Sequence, residues 1–214
     1  MHNLADLRRE YTRASLELPE GVADPLHLLQ TWLDDAIRAE ALEPNAMTLS
    51  TVNEHGRPRA RIVLLKGIHE GKLEFYTNYQ SDKGLELEKN PACALTFFWP
   101  EIERQIRIEG VADRLSPEKS DAYFQSRPRG SQIGAWASPQ SNAIANRRIL
   151  EERFAQLEKK FGPDAPIPRP RQWGGFGVEP YVIEFWQGRA NRLHDRICYT
   201  RKKDNSWTAR RLAP

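Results

Sequence analysis

Cysteine is nearly absent: Cys93 and Cys198 are the only two in 214 residues, and neither falls in a CxxC pair or a Cys/His group of metal-ligand spacing. A disulfide-framed scaffold and a zinc site are thereby excluded, and no metal is expected. Long apolar runs are missing as well. The longest are four or five residues, far short of the roughly 20 that a membrane-spanning helix requires. Met1-His2-Asn3-Leu4 opens no signal-peptide core, so the expected location is the cytoplasm, away from membranes. With 39% apolar and 29% charged residues, the chain also lacks the composition of a disordered protein. Its length suits one domain with a full core, or at a stretch two small ones.

What is present is charge, unevenly placed. From Trp186 to the end, eight Lys or Arg stand against Asp195 and Asp204, a local +6 in a chain whose total is +3. Such a segment needs an anion: a nucleic acid, a phosphorylated small molecule or an acidic patch on a partner subunit. Its cations are interleaved as on a strand and match no nucleic-acid motif, so nucleic acid is not expected.

Residues 1–23 are polar and read as a solvated arm, with Arg8-Arg9-Glu10-Tyr11 as their one distinctive run. Asp24-Pro25 is a capped helix start, and Leu26, Leu29, Leu33 and Ile37 recur at helical spacing on its packing face. From Ala46 the period changes. Met47 to Val52 alternates, Asn53-Glu54-His55-Gly56 turns, and Arg59 to Lys66 returns, which predicts an antiparallel hairpin. Within the return, Arg61-Ile62-Val63-Leu64-Leu65-Lys66 has the look of a buried strand with a cation at each end. Those cations either reach into water or hold an anion.

Strands are predicted over Leu73–Thr77, Cys93–Trp99 and Arg104–Gly110, with a short helix through Leu85 and Leu87. About five consecutive strands with hairpin-length links predict a small antiparallel barrel. Ser116-Pro117 caps a second helix, on which Tyr123 and Arg127 share a face, and Ser131 follows the break at Pro128. Gly134 to Ser141 feeds a long helix bearing Ile149, Leu150, Phe154, Leu157 and Phe161. The N–H groups at its start, beside Gln140 and Ser141, are either ordinarily capped or suited to an anion. Ala165–Pro170 must be an extended surface connection. In the final strands, Arg192, His194 and Arg196 are spaced to project from one face of a strand running to Tyr199.

Taken together, Arg8 to Tyr11, Arg61 to Lys66, Phe75-Tyr76-Thr77-Asn78, Glu103-Arg104-Gln105, Ser126-Arg127-Pro128-Arg129 and Ser131 to Trp136 resemble one family. The likeness continues through Gln140-Ser141, Trp173-Gly174-Gly175, Glu184 to Gly188, Arg192 to Arg196 and Arg211 to Pro214. The chain resembles the pyridoxine (pyridoxamine) 5′-phosphate oxidases over nearly its whole length. That resemblance implies a mainly β, α+β chain with flanking helices: a split, Greek-key-like β-barrel over residues 24–214 that forms a homodimer, binding FMN in two clefts at the interface. It implies that Arg61, Lys83, Gln140 and Ser141 serve the FMN phosphate and its surroundings, in a pocket running through Ile62, Val63, Leu64, Leu65 and Lys66. Tyr76, Thr77, Gln105, Trp186 and Arg196 would complete that pocket. Lys66, Tyr123, Arg127 and Ser131 would hold substrate phosphate. Arg192, Leu193 and His194 would lie over the pyridine ring, with Arg192 and His194 as the catalytic candidates. Arg8, Arg9, Glu10 and Tyr11 would form a lid. The implied reaction oxidises pyridoxine or pyridoxamine 5′-phosphate at C4′, with dioxygen as the final acceptor.

One position departs from the family pattern. Ser81-Asp82-Lys83 stands where the family usually shows Ser-Arg-Lys, and Asp82 is expected to turn away from the phosphate. Two alternatives share much of this sequence evidence: another split-barrel FMN reductase, and a non-catalytic binder of FMN or pyridoxal phosphate. The simultaneous presence of Tyr123, Arg127, Ser131, Arg192 and His194 speaks against the reductase.

Overall fold

The computed structural model describes residue 3, residues 10–18 and residues 24–214; Arg8 and Arg9, assigned above to a lid, lie outside the described residues. The strands are β1 (Ala46–Val52), β2 (Pro58–Leu64), β3 (Gly67–His69), β4 (Lys72–Asn78), β5 (Ala92–Trp99), β6 (Arg104–Arg114), β7 (Trp173–Gln187), β8 (Asp195–Arg201) and β9 (Trp207–Leu212). The helices are α1 (Pro25–Arg38), α2 (Asp82–Lys89), α3 (Pro117–Ser126), α4 (Arg129–Ala137) and α5 (Arg148–Phe161).

Every strand pairing is antiparallel, in the order β2-β1-β5-β6-β7-β4-β3, with β8 added to β7 and β9 to β8. The two ends of that path are joined by the chain itself. β2 passes into β3 through Leu65, whose N–H donates to Asn45 O, and Lys66, whose N–H donates to Glu74 O. The sheet therefore curls into a barrel, and β7 splits it. One edge of β7 runs along β6, while the other pairs first with β4 through Val178 and then, from Val182, with β8. Pro180 lies between these two stretches, where a residue without an N–H loses no ladder bond. Opposite it, Gly110 follows a register shift in β6. A Cβ on Gly110 would stand 2.6 Å from Val178 Cγ1 and 2.7 Å from Glu179 O.

The core follows from strand alternation. Phe97, Ile106, Phe185 and Ile197 face one another across β5 to β8 and are essentially inaccessible. Helix α1 closes one side, its Asp24 carboxylate accepting the Leu26 N–H at 3.0 Å. Leu29 and Leu33 pack inward as expected, but with Trp32 and Ala36 and not Ile37, which is exposed. The Trp32 ring meets Phe185 edge-on at 5.1 Å and carries the Arg104 guanidinium on its face at 4.5 Å. The same guanidinium pairs with Asp35 of the helix, its Nη1 2.6 Å from Oδ2.

Several local expectations change. The Arg61–Lys66 run is not a buried strand. β2 is the end of the path, and Ile62 is 62% exposed. Helix α4 was not foreseen, and α5 begins only at Arg148, so its N-terminus is not beside Gln140 and Ser141. Arg192, His194 and Arg196 do not share a strand. Asn191 and Arg192 take left-handed conformations (φ 56° and 63°), Arg192 ends a short 3-10 turn, and β8 starts at Asp195. The Ala165–Pro170 connection is anchored as well as extended, since Ile167 is fully buried in a second cluster with Phe124, Ile133 and Trp173.

Candidate functional site

A cleft of about 510 Å³ opens between β2, β4, α2 and the α3–α4 corner. It brings together Ile62, Val63, Leu64, Lys66, Tyr76, Thr77, Lys83, Gln140, Tyr123, Arg127 and Ser131 from the sequence-derived set. Arg61 and Ser141 line an adjoining recess that shares Lys83. Leu65 takes a different place, its side chain in the core.

Lys83 stands in the first turn of α2, a helix capped by Ser81 Oγ. The residue is 9% exposed, and among the described residues its amine bonds hydroxyls alone, Thr77 Oγ1 and Ser81 Oγ, each at 3.3 Å. Burial, then the nearby Arg61 charge, hold its pKa below the ordinary lysine value. Gln140 and Ser141 reach this point by docking on strand and helix ends. Gln140 Oε1 accepts from Thr77 Oγ1 (3.2 Å) and the Asn78 N–H (3.3 Å), and Ser141 Oγ accepts the Asp82 N–H at 3.2 Å. Ser141 is itself left-handed, at φ 71°. Arg61 bonds Thr51 Oγ1 and Glu86 Oε2, the latter at 3.1 Å. Asp82 is held by Arg59, its Oδ2 2.6 Å from Nη1, with both side chains about half exposed.

At the opposite wall, α3 ends on Arg127. Its guanidinium lies on the Trp173 face at 4.5 Å, and its buried Nη1 has no hydrogen-bond partner. Desolvation lowers its pKa, as expected of a cation short of counter-charge. Between the two ends, Tyr76 and Tyr123 stack at 3.8 Å, with Trp173 nearly parallel to both. Burial, and then the Glu74 charge, push the Tyr76 phenol up to about 12. Trp173 and Arg59 were given no role from sequence. The only signal for Trp173 was the Gly174-Gly175 that follows it, and for Arg59 none.

A second group lies elsewhere. Gln105, Trp186 and Arg196 are successive cross-strand partners on β6, β7 and β8. They form one lateral row on the outer face, in line with the exposed Phe98. Arg196 Nε is 2.8 Å from Glu184 Oε1. Trp186 meets His194 at 4.7 Å between centroids, and Tyr11 lies edge-on to both. His194 Nδ1 accepts the Arg189 N–H at 3.1 Å. Burial, then the Arg192 charge, lower its pKa. Arg192 and Leu193 are exposed beside it, and Glu10 is exposed beside Tyr11. Trp173 in the cleft and Trp186 in this row stand near opposite ends of β7, 13 residues apart, roughly 40 Å of chain at the rise of an extended strand. The two groups thus lie apart on one chain.

Two cations that make no ion pair among the described residues, Lys83 and Arg127, flank stacked aromatic rings on a split barrel, which defines the class: a split-barrel protein with a cleft suited to phosphorylated, flat-ringed ligands. Family models agree. One described as pyridoxamine 5′-phosphate oxidase matches residues 33–161, and one described as the pyridoxine 5′-phosphate oxidase C-terminal dimerisation region matches residues 173–214. The chain is 52% identical over 214 residues to a pyridoxine/pyridoxamine 5′-phosphate oxidase of Pseudomonas paraeruginosa, with 99% of each chain covered. It is 54% identical over 214 residues to one of Chromobacterium violaceum, again with 99% of each covered. Among solved structures, PhzG of Burkholderia lata, in complex with tetrahydrophenazine-1-carboxylic acid, superposes with TM-score 0.86 at 30% identity. That match covers 94% of this chain and 100% of PhzG. The chain belongs to the pyridoxamine 5′-phosphate oxidase family of oxidoreductases.

Among the described residues, no helix is long and apolar enough to cross a membrane, and no His/Cys/Asp/Glu group could hold a metal ion.

Proposed function

We propose that the chain oxidises pyridoxine 5′-phosphate or pyridoxamine 5′-phosphate to pyridoxal 5′-phosphate with FMN. It would act in the cytoplasm as a homodimer whose sites lie at the subunit interface. The carrying observation is the pair of cations in one cleft that make no ion pair among the described residues, Lys83 bonded to hydroxyls and Arg127 with an orphaned Nη1. Each fits one phosphate monoester, whose dianion favours several charge-assisted donors. The donors at the Lys83 end, with Arg61, Gln140 and Ser141, fit the FMN phosphate. Those at the Arg127 end, with Lys66, Tyr123 and Ser131, fit that of the substrate.

When bound, FMN would supply the redox chemistry, the hydride acceptor at N5 for substrate C4′ and the route of the electrons to dioxygen and hydrogen peroxide. The side chains have only to bind, orient and exclude water. Gln105, Trp186 and Arg196 would close over the flavin, and they would come from the partner, since on their own chain Trp186 stands near the opposite end of β7 from the cleft's Trp173. Arg192 and His194 would come with them and lie over the pyridine ring. Because His194 Nδ1 is an acceptor, the neutral ring keeps its proton on Nε2 and donates there. It therefore orients the reacting group and is not a strong general base.

The test is the visible spectrum. Purified protein should carry a flavin band at roughly 450 nm that bleaches when pyridoxine 5′-phosphate is added without oxygen and returns in air. A yellow protein that never bleaches would point instead to an FMN reductase or a carrier.

A further inference from the structure

We propose that Glu103 is a positioning residue, a buried carboxylate that latches the N-terminal arm and thereby sets Tyr11 against Trp186 and His194. Glu103 lies in the turn between β5 and β6 at φ 57° and is 2% exposed. Burying a carboxylate is costly unless its oxygens are met. Among the described residues this one is met by backbone and not by a cation. Oε2 accepts the N–H groups of Thr12 at 2.9 Å and Arg13 at 3.1 Å. Two adjacent amides on one oxygen fix the course of the chain just after Tyr11.

The same residue fixes the surface on which Tyr11 lies. Its carbonyl accepts the Gly188 N–H at 2.8 Å and Gln187 Nε2 at 3.2 Å, which holds the end of β7. A Cβ on Gly188 would fall 2.7 Å from Tyr11 Cγ, so the ring packs directly on that backbone. Asp195 makes a second tie, its Oδ2 accepting the Leu16 N–H at 3.1 Å while Arg211 holds its Oδ1 at 2.6 Å. A methionine or leucine at position 103 would fill the same space without the cost of a buried charge. What the carboxylate adds is a defined position for Thr12 and Arg13, and through them for Tyr11.

What Tyr11 covers rests on the function proposed above; the latch does not. Hydrogen exchange of the segment 10–18, followed by mass spectrometry, reads it directly on the protein as purified. In Glu103→Ala the amides of Thr12 and Arg13 should exchange at least about tenfold faster, as expected for lost buried hydrogen bonds. KM for pyridoxine 5′-phosphate should rise by about the same factor, with kcat and FMN affinity little changed. Glu103→Gln keeps an acceptor oxygen and should recover most of both effects. Tyr11→Ala should reproduce the KM rise while Thr12 and Arg13 stay protected, and it keeps the inference testable if Glu103→Ala does not fold. Unchanged arm protection in Glu103→Ala overturns the latch, as does an unchanged KM in Tyr11→Ala of an enzyme active on this substrate. If wild type proves inactive on pyridoxine 5′-phosphate yet Glu103→Ala frees the arm, the latch stands and the substrate assignment falls.

Discussion

His194 carries a proton-sensitive contact. Its Nδ1 can accept the Arg189 N–H only while the ring is neutral, and burial together with the Arg192 charge keeps it neutral to a pH below its ordinary 6.5. In an NMR titration its midpoint should lie below 6.5. In Arg192→Gln it should move up, because the positive charge that opposes protonation is gone. Any acid limb of kcat/KM that reports this residue should move with it. At Arg127 the orphaned Nη1 sets the scale. A charged hydrogen bond is worth about 1.5–3 kcal/mol, so Arg127→Met should raise KM for the phosphorylated substrate roughly 10- to 100-fold, with FMN affinity held. At Asp82 the half-exposed pair with Arg59 is worth about 0–1 kcal/mol. Asp82→Arg should therefore change the FMN dissociation constant less than about tenfold in a fluorescence titration; a larger gain would mean that the carboxylate faces the phosphate.

Among the elements, β7 does the most to place the site. Its first half supplies Trp173 to the cleft through pairing with β4, and its second half supplies Trp186 to the outer face through pairing with β6 and β8. Gly110 and Pro180 mark where it changes partner. Gly110→Ala would force a Cβ against Val178 and Glu179, and such overpacking costs about 1–3 kcal/mol. Urea unfolding should show that loss as a lower midpoint with the same slope. Legibility differed by element for a physical reason. β6 was readable because Ile106 and Ile108 face the core while Gln105 and Arg107 do not, a clean period of two. The first half of β7 is not readable in this way, because residues 173–178 are buried on both faces and a strand so enclosed has no alternation to read. The Arg192–Arg196 spacing misled because two left-handed residues break the strand period that the argument assumed.

For the whole molecule, what matters is that one chain carries two groups of candidate residues apart from each other. If the cleft of one protomer is completed by the outer face of its partner, two individually impaired variants should rescue one another at substrate concentrations well below their raised KM. Mixing Arg127→Ala with His194→Ala under conditions that exchange subunits should restore about a quarter of the native sites. Half of the dimers would be mixed, each with one site free of both changes. No recovery, with exchange confirmed by native mass spectrometry, would place the whole site within a single protomer. The exposed apolar Ile62 and Phe98, both on the outer face, are consistent with a covered surface, as is the match of residues 173–214 to a dimerisation region.

The sequence by itself determined the antiparallel barrel, the capped α1 and α3, the short α2, and the residue types able to meet phosphate and a flat ring. Each of these is written locally, in alternation, in a cap three residues from its donor, or in a motif of fixed spacing. Only the tertiary structure decided which of those residues meet. It put Lys83 and Arg127 in one cleft through contacts 44 residues apart in the chain, set Gln105, Trp186 and Arg196 in a row elsewhere, and brought the Glu103 carboxylate to the arm. Cross-strand register and long-range burial govern these meetings, and neither leaves a periodic trace in the sequence.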